Sequence, residues 1–495
     1  MDKRILKVIE TVKKYDNIFV GIIIFLSIFG ITLNVFVTNS DELWNFQNIY
    51  KMYNGFQIYK DANVIITPLF FYLGELLFKM LGANFLTFRI YNIIIIFFLY
   101  FFTYLLLKNL KINKNSSLFV VVFLILFDKY ALILTQANYN ILAVMLCILG
   151  VYIYTKNNKY NNLSQGILLF LILMTKQNIG IFYAIGIFVY EILSKSNLKD
   201  IINNLLLKYI TSFILLVCFL TFYYTTGNLY SMVNYTILGL SEFANKNLCI
   251  DIVSTISIIF FISIDIVLTV FFIKNNKIAI KDIQKNQLIL LASFSIPMSL
   301  IIFPIMNKAH FMLAFYLLLI WFIYLINIIY KEITTNKIEK IINIVLVIYV
   351  IFSCTFSIGS FIFWNTHIND ETYYLKKEEP FYGGVLNDNL IKNINTMVEY
   401  IENNSNNVVV LSGKAAFYMV PTKRSNGMMD LPFKGNLGKG GEQGLIEEIK
   451  MLEETEILIE RDEQEMQWQE SEKVREYIIN NMEKIGEIEE FDIYK

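Results

Sequence analysis

Apolar runs of roughly 15–25 residues recur along most of this 495-residue chain, and each is long enough to cross or nearly cross a hydrocarbon core. No other feature constrains the fold as strongly. Within a bilayer the backbone must satisfy its own polar groups, so long apolar runs of this kind fold as packed helices. Composition agrees. The chain is 56% hydrophobic and 17% charged, where soluble domains average about 25% charged residues. Eleven spans can be drawn, from Ile18–Val37 to Ile341–Phe361. The expected fold is a polytopic all-α transmembrane bundle over residues 1–364, with a long first loop at 38–85. A small soluble α/β domain is expected over 365–495.

Net charge is zero but unevenly distributed. Residues 1–364 carry 28 Lys and Arg against 16 Asp and Glu, while residues 365–495 carry 14 against 26. The basic residues of the first part sit in short connections between spans, which removes any need for a nucleic-acid partner. With the N-terminus inside, alternate connections hold 20 basic residues on the cytoplasmic side and 8 on the other. The positive-inside rule therefore places the N-terminus in the cytoplasm and, with eleven spans, the C-terminal domain outside. The run at Ile18–Val37 follows Lys3, Arg4, Lys7, Lys13 and Lys14. It is too long for a cleaved leader and reads as a retained span. The four cysteines lie in or beside apolar runs, without metal-ligand spacing. The Ile, Asn and Lys bias suits an AT-rich bacterial genome, so the expected location is a bacterial cell membrane.

The first loop has structure of its own. Trp44–Tyr53 reads as an amphipathic helix, and Pro68 opens a second apolar stretch through Leu81 that ends at Gly82. Helices rich in Trp and Tyr beside a membrane favour its interface, so this loop is expected to lie on the bilayer surface. In the tail, periodicity predicts helices over 387–403, 442–453 and 471–483, and strands over 408–411, 456–459 and 485–494.

Ionisable groups near a membrane are costly and point to function. Asp41 and Glu42 follow the first span directly. A carboxylate there suits a general base acting on a hydroxyl, or a divalent-cation ligand; the plainer reading is a polar stop to the helix. Lys176 sits at a junction between apolar runs, either as a phosphate partner or as a snorkelling lysine. Lys308 and His310 share a short loop and could face the same phosphate. His310 could instead ligate a metal, or simply form an interfacial hydrogen bond. Arg89 could bind phosphate or tie the loop to the second span. Asn138 and Asn140 could bind sugar hydroxyls but cannot take a proton.

The ordered run Asp41-Glu42-Leu43-Trp44-Asn45-Phe46, then Gly55, Tyr59, Asp61, Thr67-Pro68-Leu69, Tyr72, Gly82 and Arg89 resembles the first outer loop of GT-C-type membrane glycosyltransferases. That superfamily includes the protein mannosyltransferases, the aminoarabinose transferases and the bacterial family-39-like enzymes. The resemblance is confined to about residues 41–89, and beyond them it is one of architecture. It implies an inverting transfer of a hexosyl or pentosyl group from a polyprenyl-phosphate donor. The acceptor would be a cell-envelope glycan, lipid or protein. Asp41 would be the essential base, and Glu42 its neighbour or a metal or substrate ligand. Asp61 would belong to the sugar and acceptor side. Lys176, His310, Arg89 and Lys308 would surround the donor phosphate. Some relatives place a metal-binding carboxylate where Glu75 stands, so a divalent ion held by Glu75 and His310 is a further expectation. Relatives often carry an acid near the fourth span, where this chain has Asn138 and Asn140, and that departure weakens any two-carboxylate mechanism. The alternatives are a lipid-linked-glycan flippase or transporter, and a polysaccharide polymerase.

Overall fold

The computed structural model describes residues 16–32, 40–131, 138–156, 158–195, 197–246, 248–274, 282–306, 308–333, 336–367, 380–384, 388–404, 406–430, 432–461 and 471–495. The bundle begins with α1 (Asp16–Thr32). Two helices of the first loop follow, α2 (Ser40–Tyr53) and α3 (Leu69–Leu81), and then α4 (Phe85–Asn109), α5 (Lys114–Ala131), α6 (Tyr139–Thr155), α7 (Asn161–Thr175), α8 (Gln177–Ser194) and α9 (Leu198–Thr225). After the short α10 (Leu229–Val233) and α11 (Leu240–Lys246) come α12 (Ile252–Lys274), α13 (Asp282–Ser299), α14 (Lys308–Ile333) and α15 (Asn336–His367).

Six of these helices are long and apolar enough to cross a membrane: α4, α8, α9, α12, α13 with the turn that extends it to Ile302, and α14. Five further apolar helices, within α1, α5, α6, α7 and α15, are shorter. The chain is thus a membrane protein with six full-length candidate spans among its described residues, rather than eleven runs of equal standing. The bundle centre is built by α4 against α6, α8 against α13 and α13 against α14. Helix α9 packs on α7 and turns Phe213 (63% exposed) and Ile214 (56%) outward. Large apolar residues facing outward along such a helix mark a surface made for lipid.

Pro68 precedes the first turn of α3, where its missing N–H has no intrahelical role, and Gly82 ends the helix at a positive φ. Gly74 lets α2 and α3 meet closely, because a Cβ there would collide with Ile49. Asn84 caps α4 by accepting from Thr87 N at 3.0 Å.

The tail holds a four-stranded sheet of order β3-β4-β6-β5, from Asn407–Leu411 (β3), Thr455–Glu460 (β4), Lys484–Ile488 (β5) and Phe491–Tyr494 (β6). A two-stranded parallel pair within the bundle, Cys249–Ile250 (β1) with Ile305–Met306 (β2), precedes it in the chain. β3 runs parallel to β4, β6 antiparallel to β4, and β5 antiparallel to β6. Helices α16 (Asp388–Asn403), α17 (Ala416–Thr422), α18 (Gly441–Lys450) and α19 (Glu472–Asn481) complete the domain. The single strand expected over 485–494 is a hairpin. It turns through Glu489 at φ 46°, a left-handed position filled by neither Gly nor Asn, so no turn signal marks it. Helix α17 was not expected either, since Pro421 lies within it.

The first loop does not simply lie on the bilayer. α2 is buried between the bundle and the tail, with Leu43 and Phe46 fully covered. Phe381 stacks its ring 5.4 Å from Phe46 and 5.3 Å from Phe417, while Phe85 N and Leu86 N donate to Pro380 O and Tyr382 O, both at 2.8 Å. Gln47 and Lys51, polar residues of the expected amphipathic helix, both bind Asp430. Gln47 Nε2 donates at 2.7 Å, and the Lys51 ammonium forms an ion pair with the same carboxylate. The first loop and the C-terminal domain therefore lie on one side of the bundle. α3 keeps the surface character, exposing Leu76 (56%) and Met80 (69%).

Burial pushes the Asp430 carboxyl upward, and Lys51 holds it down. Removing one partner of a buried pair leaves an uncompensated charge, at a cost of about 3–5 kcal/mol. Asp430→Asn is expected to lower the thermal transition of the detergent-solubilised protein measurably. The double variant Lys51→Met with Asp430→Leu should be the more stable of the two. An unchanged transition in Asp430→Asn would mean that the pair does not form.

Candidate active site

The candidate residues divide into those that meet and those engaged elsewhere. Lys176 is the hinge residue between α7 and α8. Its ammonium donates to Asn140 Oδ1 and stands 5.2 Å from the centre of the Tyr139 ring, at the first turn of α6. Asp41, half-buried in the first turn of α2, feels the Lys176 charge. So does His310 near the start of α14. Four separate elements thus place Asp41, Asn140 and His310 around Lys176, Asn140 in contact and the other two within reach of its charge. Trp44, one turn after Asp41, sets its ring edge-on to Tyr139 at 6.5 Å and to Phe71 at 5.9 Å, forming an aromatic wall.

Two opposed effects act on the central pair. Burial raises the Asp41 carboxyl above its ordinary range, and the Lys176 ammonium pulls it back. Burial lowers Lys176 to about 8, and Asp41 pulls it up. Each group stabilises the charged form of the other in a site poor in water. A carboxylate held this way is a better proton acceptor than one in bulk water. An ammonium held this way remains a compact cation for an anionic ligand.

Glu42 and Arg89 have a different task. Their side chains are 2% and 1% exposed and pair at 3.1 Å, and Arg89 Nη1 also donates to Thr32 O at 3.2 Å. The guanidinium lies over the Phe85 ring at 5.1 Å. Arg89 therefore ties α1, α2 and α4 together, and its fork is not directed at a phosphate. Burial lifts Glu42 to about 7, against the pull of Arg89.

Other expected residues are occupied locally. Asn138 caps α6, its Oδ1 accepting from Asn140 N at 3.0 Å and Ile141 N at 3.1 Å, which leaves little for a sugar. Asn140 serves as the lysine's partner. Asp61 Oδ2 accepts from Gln57 N at 2.7 Å, closing a turn. Glu75 pairs with Lys79 at 2.6 Å, one helical turn away. The Lys308 side chain falls outside the described residues. Among the described residues no group of three or more His, Cys, Asp and Glu is placed to hold a metal ion. With Glu75 paired to Lys79, the residues present do not fit the divalent-metal expectation for Glu75 and His310.

Sequence reading missed Tyr139 and the contact of Trp44 with it. Tyr139 lies between Asn138 and Asn140, and its aromatic face, a natural seat for an ammonium, is the signal the sequence carries there.

No protein-family model matches the chain, and no curated protein matches it in sequence.

The two acids of the Asp41-Glu42 pair are expected to separate on mutation. Glu42→Gln strands the buried Arg89 charge and should cost about 3–5 kcal/mol, read as a loss of monodisperse protein in detergent. Asp41→Asn leaves Lys176 its contacts with Asn140 and the Tyr139 ring, so it should purify as folded protein and lose less stability than Glu42→Gln. Equal behaviour of the two variants would contradict this division of roles.

Proposed function

We propose that this chain is a GT-C-type inverting glycosyltransferase. It takes a sugar from a polyprenyl-phosphate donor and transfers it to a cell-envelope acceptor on the outer face of a bacterial membrane. The observation that carries this reading is the placement of Asp41, Asn140 and His310 around Lys176 where the first loop packs on the bundle. The reading counts eleven crossings, adding the five shorter apolar helices to the six long ones. The N-terminus is cytoplasmic, and the first loop and the C-terminal domain are outside. Contact of those two outer parts is consistent with an odd number of crossings.

In this reaction the donor phosphate rests against Lys176 and Asn140. Asp41 takes the proton of an acceptor hydroxyl as that oxygen attacks the anomeric carbon. A new carbon–oxygen bond forms, the bond from the anomeric carbon to the phosphate oxygen breaks, and its electron pair leaves with the lipid phosphate. Lys176 offsets the charge that develops there. Attack from the face opposite the phosphate inverts the anomeric centre. An apolar groove of about 710 Å³ between α7, α8 and α9 supports this placement. Its lining includes Leu173 and Ile181, about one and one and a half helical turns from Lys176, so a polyprenyl tail there has its phosphate near the lysine.

Transport of a lipid-linked glycan is the second reading, and Asp265 is the observation favouring it. Its carboxylate is fully buried within α12, and neither oxygen has a hydrogen-bond partner among the described residues. Incubation of purified protein with radiolabelled undecaprenyl-phosphate sugar separates the readings. Acceptor-dependent release of lipid phosphate supports transfer, and intact label crossing vesicles supports transport.

Asp41→Asn is expected to abolish transfer, and normal turnover in that variant would remove Asp41 from the mechanism. Lys176→Met should weaken donor binding and also shift the pH profile. Without the ammonium the Asp41 pKa rises, so the acidic limb of kcat moves to higher pH. A limb that stays in place would uncouple the two groups.

A further inference from the structure

The face of α2 that carries Asp41 also carries unmatched polar groups. Asn45 and Asn48 follow Asp41 at i+4 and i+7, which sets the three side chains along one stripe. Asn45 is 1% exposed and Asn48 2%. Neither amide atom of Asn45, nor Asn48 Oδ1, has a hydrogen-bond partner among the described residues, and the same holds for Trp44 Nε1 on the adjoining face. Asn63 repeats the pattern in the segment leading to α3, 1% exposed with both amide atoms unmatched. That segment is anchored beside Lys176, because Gln177 Nε2 donates to Ile65 O at 2.9 Å. Buried polar groups in folded proteins nearly always find partners, so a concentration of unmatched ones on the helix of the candidate base calls for a cause.

We infer that this stripe is the acceptor subsite, and that the acceptor is a glycan, recognised through its hydroxyl groups by Asn45 and Asn48. The inference rests on the transferase reading and deepens it. Lys176 acts on Asp41 at the first turn of α2, while Asn45 and Asn48 continue along the axis for about 6 and 10 Å. Inverting displacement requires the attacking hydroxyl and the leaving phosphate on opposite sides of the anomeric carbon. With the phosphate at Lys176, the acceptor extends along α2 past Asp41. The groups there are neutral amides and an indole N–H, which match hydroxyls that both donate and accept. A Ser or Thr side chain presents one hydroxyl, and a phospholipid headgroup would call for cations; a sugar chain presents several hydroxyls at this spacing. The stripe is closed in this structure, so the acceptor enters as the first loop shifts.

The test uses the full chain in nanodiscs with undecaprenyl-phosphate-[14C]hexose and three acceptors: a neutral oligosaccharide from envelope glycan, a Ser/Thr peptide and a phospholipid. Direct binding of the tritiated oligosaccharide is measured in parallel. The wild type is expected to transfer to the oligosaccharide and not to the other two. Asn45→Leu and Asn48→Leu, which keep the branched outline of the parent side chains without their polar atoms, should raise KM for the oligosaccharide by about tenfold or more. Both should leave KM for the donor within about twofold, and Asn45→Leu, which removes an amide with neither atom matched, should not lower the melting temperature of the ligand-free protein; Asn48→Leu also loses the bond from Asn48 Nδ2 to Trp44 O. Transfer to the peptide or phospholipid instead would overturn the glycan assignment. So would variants that melt lower than the parent with unchanged KM, since the amides would then be structural. Oligosaccharide binding by the wild type without donor turnover would overturn the transferase reading and keep the subsite. Turnover with unaltered acceptor kinetics in both variants would keep the transferase reading and overturn the subsite.

Discussion

Helix α2 is clamped at both ends by buried ion pairs, and the geometry of the candidate site depends on those clamps. At its start Glu42 meets Arg89 of α4, and near its end Lys51 meets Asp430 of the C-terminal domain. Charges removed from water are tolerated only with partners in good geometry. Each clamp therefore fixes one end of the helix against a different body. Asp41 stands beside the first clamp without belonging to it, and its own electrostatic partner is Lys176. In the closed structure the helix is thus positioned by charges that take no part in the proposed chemistry, and this sets the position of one charge that does.

The C-terminal domain gains a purpose from this arrangement. It does not hang from the last helix as an independent module. It packs Phe381 into the aromatic cluster of Phe46 and Phe85, and its Asp430 closes over α2. One hydrophobic core runs from the bundle into the domain, and a second, smaller core fills the space between the sheet and helices α18 and α19. Movement of the domain and movement of the first loop are therefore coupled, which suits a closed site that must admit a substrate.

Much of this architecture was legible in the sequence, because the responsible patterns are local. Apolar length marks helices such as α4 and α9, Pro68 and Gly82 mark the limits of α3, and buried strands such as Val408–Leu411 announce themselves by uninterrupted apolar residues. Asp41 and Lys176 could be nominated from their places at the ends of apolar runs. What could not be read was pairing over distance. Arg89 and Glu42 lie 47 positions apart and Lys51 and Asp430 379 apart, and nothing local distinguishes a lysine bound for solvent from one bound for a buried aspartate. At Asn138 and Asp61, a capping or turn-closing side chain and a sugar-binding one look alike in sequence until their partners are known.

The most direct measurement is an experimental map of the chain in a lipid nanodisc with undecaprenyl phosphate bound. The account requires phosphate density against the Lys176 ammonium and the Asn140 amide, with the Asp41 carboxylate beside it and the isoprenoid tail leading into the groove between α7, α8 and α9. Phosphate density at another end of the bundle, with Lys176 turned away from Asp41, would contradict it.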